Sequence, residues 1–299
     1  MTDFLDLLLC PVCGEFLCRE NRTLRCPAGH TYDLARAGYV NLLPPGKQKN
    51  ARTGDEDGMV RARVDFLGKG FYDPIDNRLA ELLSETCAQS DELCFTDMGA
   101  GEGYHTCRTA GLLAEIRGCA VTALGFDASK FAAERGCKLA ASHGYFTKDG
   151  IGGEIPGAVR VACLPGNIFH LPLRSESMHA ALSLFAPVAW EEAKRILKPG
   201  GILAVVSAGR EHLIELRQEL YNDVRLADRP PIPPENGGFR EVLREPLNFA
   251  VQLNSRENIE NLFTMTPFSR KTGEEGRSRL LSHERMTVTA SVLFSLFEV

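Results

Sequence analysis

Cys10-Pro-Val-Cys13 and Cys26-Pro-Ala-Gly-His30 set three thiols and one imidazole close together in the chain. The C-x2-C spacing puts two thiolates on one tight turn, and the C-x3-H spacing does the same for a thiolate and an imidazole. Two such knuckles joined by a short hairpin can close a tetrahedron around Zn²⁺, with bonds of about 2.3 Å to sulfur and about 2.0–2.1 Å to nitrogen. Pro11 and Gly14 suit the first turn, Pro27 and Gly29 the second. Four protein ligands leave no open position, so the expected ion is structural rather than catalytic. A ribbon this small has too little core to fold without its metal. Cys18 lies mid-strand without a partner at knuckle spacing and is left out of the set. The plainer alternative is a hairpin of free cysteines.

A second group of residues points to nucleoside binding. Leu93 to Phe95 is a short apolar segment that runs into Asp97-Met98-Gly99-Ala100-Gly101-Glu102-Gly103, and a helix-compatible run follows from Tyr104 to Ile116. Glycine is needed where the backbone turns sharply or lets a ligand approach with no Cβ in the way. Tyr104 stands where a G-x-G-x-x-G dinucleotide fingerprint would put its last glycine. The D-x-G-x-G-x-G pattern instead resembles the loop of Rossmann-like methyltransferases that bind S-adenosylmethionine. A further acid, Asp127, ends the apolar segment Val121 to Phe126. An acid at the end of a second strand can accept both ribose hydroxyls of a nucleoside; the bland alternative is an N-cap of the helix beginning near Ser129.

These residues need a scaffold to hold them. Short strands are expected at Phe16 to Arg19 and Thr23 to Arg25, with Glu20-Asn21-Arg22 as the turn. Gly46 to Gly58 reads as a loop, and a helix from about Asp57 to Leu67 stops at Gly68. Asp73 and Pro74 read as cap and first turn of a helix reaching Ala88. After Asp127, a helix over Ser129 to Ser142, a glycine-rich loop from Gly144 to Gly157 and a strand from Val159 to Leu164 are expected. Strand His179 to Phe185, helix Glu191 to Leu197 and strand Ile202 to Ser207 follow. Arg210 to Tyr221 reads as helix, Asp228 to Gly238 as a Pro-rich loop, Glu241 to Leu253 as strand, Ser255 to Phe263 as a capped helix and Met286 to Phe297 as a last strand. The expected fold class is α/β, a pattern that resembles the class I Rossmann-like seven-stranded methyltransferase sheet, behind a small N-terminal zinc-binding ribbon. The expected domains are a ribbon at 1–45, a basic linker and helix at 46–70, and a donor-binding domain at 71–299.

Composition sets outer limits. The chain of 299 residues can bury a sizeable core. No run of eighteen apolar residues exists, and Ala180 to Trp190 is broken by Ser183 and Pro187, so no membrane span is expected. The acidic start Met1-Thr2-Asp3-Phe4 lacks a basic n-region, and a cytoplasmic protein is expected. Cys87, Cys94, Cys107, Cys119, Cys137 and Cys163 are scattered as buried thiols usually are, which argues against a disulfide scaffold. The net charge of −5 does not suggest nucleic acid, but residues 19–52 hold seven basic against two acidic residues, a local charge of +5. That segment is either a solvated surface or a grip on phosphates.

Gly166-Asn167-Ile168-Phe169-His170-Leu171-Pro172 resembles the G-D/N-x-x-x-L-P loop of the same methyltransferases, in which the acid or amide reads an adenine amino group. Asn167 can offer its carbonyl as that acceptor, or can serve only to form the turn. The chain as a whole resembles the 23S ribosomal RNA (guanine-N1-)-methyltransferases. The resemblance is carried by C-P-V-C-G at 10–14, C-P-A-G-H-T-Y-D at 26–33, A-G-Y-V-N-L-L-P at 37–44, G-F-Y-D-P at 70–74, D-M-G-A-G-E-G-Y at 97–104, F-D-A-S-K at 126–130, R-I-L-K-P-G-G at 195–201 and M-T-P-F at 265–268. It implies Cys10, Cys13, Cys26 and His30 as zinc ligands. It also implies Tyr72, Gly101, Glu102, Asp127 and His212 around the methyl donor, beside Asp97, Gly99 and Asn167 from the motifs. The implied partner is a 23S rRNA hairpin, free or within a ribosomal particle, and a homodimer is hinted at. The acceptor guanine would enter a crevice near Phe185 and Pro187, with Phe185 stacked on it. Arg36, Lys47 and Arg52 would hold RNA phosphates. The sequence names no proton acceptor, so the catalytic residue stays open. A methyltransferase of a small molecule or protein, with the ribbon as a docking module, and a non-catalytic donor-binding protein are the alternatives. The 144–157 loop and the stretch near 270–285 depart from the family pattern.

Overall fold

The computed structural model describes residues 1–44, 57–224, 226 and 230–299. It begins with a single helical turn, α1 (Phe4–Leu7), which Asp3 caps by accepting from Leu5 N while Asp6 accepts from the Asp3 backbone. The ribbon follows as β1 (Cys18–Glu20), β2 (Thr23–Arg25) and β3 (Thr31–Asp33), an antiparallel sheet of three strands. Asn21 takes a left-handed φ of 58° in its first turn. The sequence reading found the first two strands but not β3, whose three residues pair with β2 from Thr23↔Asp33 to Arg25↔Thr31. A strand that short carries no alternation to detect.

The larger unit contains α2 (Asp57–Leu67), α3 (Asp73–Thr86), β4 (Glu92–Met98), α4 (Tyr104–Arg117), β5 (Ala120–Asp127), α5 (Lys130–Ser142), β6 (Val159–Pro165), β7 (Met178–Leu184), α6 (Trp190–Ile196) and β8 (Leu197–Ala208). Then come α7 (Ile214–Leu220), β9 (Arg240–Leu253), α8 (Arg256–Met265), α9 (Glu274–Leu280) and β10 (Met286–Glu298). The sheet order is β6-β5-β4-β7-β8-β10-β9, seven strands, parallel from β6 to β8 and antiparallel for β10 and β9. The order reverses between β4 and β7, and the crevice at the carboxyl ends of those strands is where open α/β sheets bind ligands. β4, β5 and β7 are buried almost throughout, as strands covered on both faces must be.

Several boundaries move from their expected places. Asp73 is not the cap of α3: the cap position is Tyr72, without a side-chain bond, and Pro74 sits in the first turn. The Asp73 carboxylate is instead taken by the Tyr104 hydroxyl and by Arg108 at 3.0 Å. Helix α7 begins at Ile214 rather than Arg210, because Leu213 adopts a left-handed φ of 53° that no helix can include. Strand β8 starts at Leu197, and a register shift between Met178 and Ala180 of β7 absorbs the Pro-Gly-Gly phrase.

One contiguous apolar cluster runs from Phe4, Leu8, Leu24 and Leu42 through Phe66, Phe95 and Phe126 to Phe294 and Phe297. Ribbon and sheet are joined by backbone bonds: Leu9 N donates to Pro172 O at 2.9 Å, Leu42 N to Pro165 O at 3.0 Å and Arg174 N to Leu7 O at 3.0 Å. The 144–157 loop lies on the ribbon as well. Arg19 donates to Ile151 O at 3.0 Å, and Gly38 and Gly150 approach so closely that a Cβ on Gly150 would stand 2.2 Å from the Gly38 carbonyl oxygen.

Candidate active site

The glycine loop between β4 and α4 is held from three sides. Gly99 N and Ala100 N donate to Phe126 O at 2.9 and 3.1 Å, which ties the loop to the end of β5. Gly99, Gly101 and Gly103 all have positive φ, and a Cβ on Gly103 would meet Cys163 Sγ at 2.7 Å. A Cβ on Gly99 would meet Ala186 Cβ at 2.6 Å, so only glycine lets the loop lie against the residues after β7. Asp127 spans the gap: Oδ2 accepts from Gly101 N at 3.1 Å and Oδ1 from Ser129 N at 2.8 Å. The N-cap of α5 is Ser129 itself, whose hydroxyl accepts from Ala132 N, so Asp127 is not that cap. It is a carboxylate fixed by two backbone N–H groups on the lining of the open space.

That space is a cleft of about 2320 Å³. Ligand pockets for one small molecule run to about 1000 Å³, so the cleft has room for a nucleoside donor and a second reactant. Its lining brings together Tyr72, Gly99, Gly101, Glu102, Asp127, Asn167, Phe185, Pro187 and His212, residues from opposite ends of the chain. Asp97 does not line it. Its Oδ2 accepts from Thr106 Oγ1 at 2.6 Å beneath the loop, its Oδ1 has no hydrogen-bond partner among the described residues, and burial pushes its carboxyl up to about 6. The Asn167 carbonyl accepts from Phe169 N at 3.1 Å, which is the turn-forming arrangement, with one lone pair of the amide oxygen left over.

Three aromatic rings form one wall. Phe185 and His212 lie 5.7 Å apart, and Tyr72 is 6.3 Å from each. Phe185 has a left-handed φ of 53° at the end of β7, a strained position for a bulky residue, while its N–H donates to Val206 O at 2.9 Å. His212 Nδ1 accepts from Ser291 N at 3.3 Å, and burial lowers the imidazole to about 4. The ring is therefore neutral near pH 7, with its hydrogen on Nε2.

Sequence reasoning missed two further pairs, one on the cleft lining and one that reaches behind it from His105. Arg63 of α2 reaches the buried Glu102 at 3.4 Å; burial raises the Glu102 carboxyl and the guanidinium opposes that shift. His105 joins the fully buried Asp76 at 2.7 Å; burial lowers the imidazole, but Asp76, Glu102 and Asp97 outweigh it and raise it overall. His105 follows the glycine loop directly and could have been suspected. No local signal brings Arg63 across from residue 63 to residue 102.

The second site lies in the ribbon. Cys10, Cys13, Cys26 and His30 place all four ligand atoms within 4.8 Å of one another. Cys13 Sγ is 3.6 Å from Cys26 Sγ, and His30 Nδ1 is 3.3 Å from Cys26 Sγ and 3.6 Å from Cys10 Sγ. A tetrahedron with bonds of about 2.3 Å has edges of ~3.8 Å, so the cage fits zinc as it stands. Gly14 N and Gly29 N close the two knuckles on Cys10 O and Cys26 O at 2.8 and 2.9 Å. Burial pushes the Cys10 thiol up, but the Tyr32 hydroxyl at 3.1 Å and nearby backbone N–H groups bring it down to about 6. Cys18 is exposed and outside the cluster. Arg36 stands apart from the cleft, in a pocket of about 470 Å³ with Arg22, Leu34, Lys148 and Asp149. Lys47 and Arg52 lie outside the described residues.

Residues 8–52 match the zinc-ribbon family described as "RlmA, N-terminal". Over 302 residues the chain is 32% identical to the 23S rRNA (guanine(748)-N(1))-methyltransferase of Streptomyces fradiae, covering 97% of this chain and 95% of that one. A Micromonospora griseorubida protein provisionally named a 23S rRNA (guanine-N(1)-)-methyltransferase is 33% identical, with 76% of each chain covered. A Bacillus subtilis protein with the same provisional name is 30% identical over 73% of this chain and 70% of that one. No helix among the described residues is long and apolar enough to cross a membrane. Zinc ribbon, glycine loop and sheet order thus occur in one chain with full-length similarity, and the chain belongs to the 23S rRNA (guanine-N1-)-methyltransferase family.

Proposed function

We propose that this chain transfers a methyl group from S-adenosylmethionine to N1 of a guanine in a hairpin of 23S rRNA, in the cytoplasm. The observation that carries the reading is the cleft: a glycine loop and anchored Asp127 at one end, an aromatic wall at the other, and volume for two reactants between them. S-adenosylmethionine, when bound, supplies an electrophilic methyl group on a sulfonium. Gly99 and Gly101 would admit it to the backbone, Asp127 would accept its ribose hydroxyls, Asn167 would read its adenine, and Tyr72, Glu102 and His212 would line its site. Asp97 serves from beneath by holding Thr106 and the loop.

Phe185 and Pro187 would receive the guanine, which must leave its stacking neighbours to reach them. Rate enhancement would come chiefly from holding acceptor and methyl group at near-attack distance. As the N1–CH3 bond forms and the donor's S–CH3 bond breaks, the donor would leave as the neutral thioether S-adenosylhomocysteine and guanine N1 would give up its proton to solvent. The ribbon at 1–45, followed by the 46–70 linker, would dock on the RNA ahead of the donor-binding domain at 71–299. Arg36, together with Lys47 and Arg52, would hold phosphates.

Labelled S-adenosylmethionine and protein-free 23S rRNA test the reaction directly. The expected product is 1-methylguanosine by nucleoside mass spectrometry, with one primer-extension stop in a hairpin. Absence of label in both free RNA and ribosomal particles, despite donor binding, would overturn the reading. Neutralising Arg36, Lys47 and Arg52 together should weaken RNA binding and lower its salt slope by about one for each phosphate left without its cation, while donor affinity stays constant.

A further inference from the structure

Among the described residues, the phenylalanines run from fully buried through partly buried to exposed. Phe4, Phe66, Phe95, Phe126, Phe294 and Phe297 are fully buried, whereas Phe16, Phe131, Phe169 and Phe185 keep large parts of their rings in solvent. Three of those four line the same cleft: Phe131 is 59% exposed, Phe169 51% and Phe185 44%. A single exposed aromatic calls for no explanation, but a group of them around one opening does.

Local structure explains why these rings cannot turn inward. The buried stripe of α5 is Ala132, Ala133, Gly136, Cys137 and Ala140, and Phe131 stands on the opposite side of the helix, on the face of the exposed Lys138. Phe169 follows the Asn167 turn, in which its own N–H is held by the Asn167 side chain, and its ring is exposed. The deep walls of the cleft are already apolar and closed by Tyr72, Leu184 and Leu213, which are almost fully buried. The exposed rings therefore belong to the rim. Lys130 and Arg210 line the same cleft and are themselves exposed, so the rim offers positive charge beside flat apolar faces. The Asp57 carboxylate on that lining is occupied by Arg61 at 2.5 Å and Arg135 at 3.4 Å.

Aromatic faces interleaved with cations are what single-stranded nucleic acid uses, because every base has a π-face and every linkage a phosphate. We infer that Phe131 and Phe169 are base-stacking platforms for unpaired nucleotides flanking the target guanine, splayed over the rim while the guanine itself enters toward Phe185. The inference rests on RNA being the acceptor. It adds two residues that neither the sequence motifs nor the donor loop assign, and it requires the acceptor hairpin to be opened on both sides of the modified base.

Stacking and phosphate binding are separable by salt. The test measures affinity for protein-free 23S rRNA over a salt series, and donor affinity by calorimetry, for the full chain and for Phe131→Leu, Phe169→Leu and Phe169→Trp. Each leucine variant keeps an apolar side chain but no π-face, and should lose roughly five- to hundredfold in RNA affinity, from a base–aromatic stack of about 1–3 kcal/mol. The salt slope and the donor affinity should not change. Phe169→Trp should retain affinity, and its emission should be quenched when RNA is added, against a background of the single native Trp190. Leucine variants that bind RNA as tightly as the native chain, in an enzyme that still methylates RNA, would overturn this inference alone. Loss of donor affinity instead of RNA affinity would assign the rings to the donor's adenine and overturn it too. A native chain that binds donor but no RNA would overturn the acceptor reading and this inference together.

Discussion

Two buried residues near the cleft should tilt stability in opposite directions over the same pH range. Asp97 titrates at about 6 rather than 3.8, so between those values the folded chain binds the extra proton and stability falls as pH rises. His212 titrates at about 4 rather than 6.5, so the unfolded chain binds the extra proton and stability rises with pH. Each shift corresponds to roughly 3 kcal/mol, and the two contributions nearly cancel in the native protein. Relative to the native chain, Asp97→Asn should therefore leave unfolding free energy rising with pH between about 4 and 6, and His212→Gln should leave it falling. Urea titrations at several pH values check both, and parallel curves would refute the assignment. Asp127→Ala should act differently, since it removes acceptors for Gly101 N and Ser129 N as well as for a ribose. Donor affinity should drop by about a hundredfold or more, given about 1–3 kcal/mol for each charged hydrogen bond removed.

At the scale of elements, the parts legible in the sequence were those with a fixed spacing or a sustained period. The knuckles, the glycine loop, α4, α5 and β9 follow from Cys, Gly and apolar positions that need no tertiary partner to be recognised. The parts that were not legible depend on distant neighbours. β3 is three residues long and exists because β2 lies beside it; α9 packs on α7; Asp73 looks like a cap until Tyr104 and Arg108 take its carboxylate. In the candidate site, Asp127 and Asn167 were legible from strand ends, whereas Arg63, His105 and Asp76 became neighbours only through the fold. The 144–157 loop is the clearest case, since its composition reads only as glycine-rich while close packing requires some of those glycines and not others. Gly144 and Gly150 have nearly the same φ, 76° and 77°, but a Cβ on Gly144 meets nothing within 4 Å and one on Gly150 meets the Gly38 carbonyl. Gly144→Ala should cost about 1 kcal/mol of backbone strain, and Gly150→Ala at least about 2 kcal/mol more. The second should also expose the ribbon to trypsin; equal losses in the two variants would show that the loop does not clamp the ribbon.

For the molecule as a whole, the ribbon and the sheet share one apolar core but are stabilised by different means, one by a metal and the other by burial. Chelation at neutral pH should release zinc and unfold residues 8–44 while calorimetry still detects donor binding, with RNA binding abolished. Concerted loss of donor binding would mean that the ribbon is inseparable from the sheet. The place of β10 has a consequence for how such an enzyme is made. It is the last strand in sequence, yet it lies inside the sheet, between β8 and β9. Its Ser291 N–H holds His212, and its Thr289 holds Glu215 of α7 at 2.7 Å through both N–H and hydroxyl. A chain still being translated at residue 285 therefore has two unjoined sheet edges and no fixed His212. A protein that modifies the RNA of ribosomes would thus gain its working cleft only once its own ribosome had made residues 286–298, long after His212 itself.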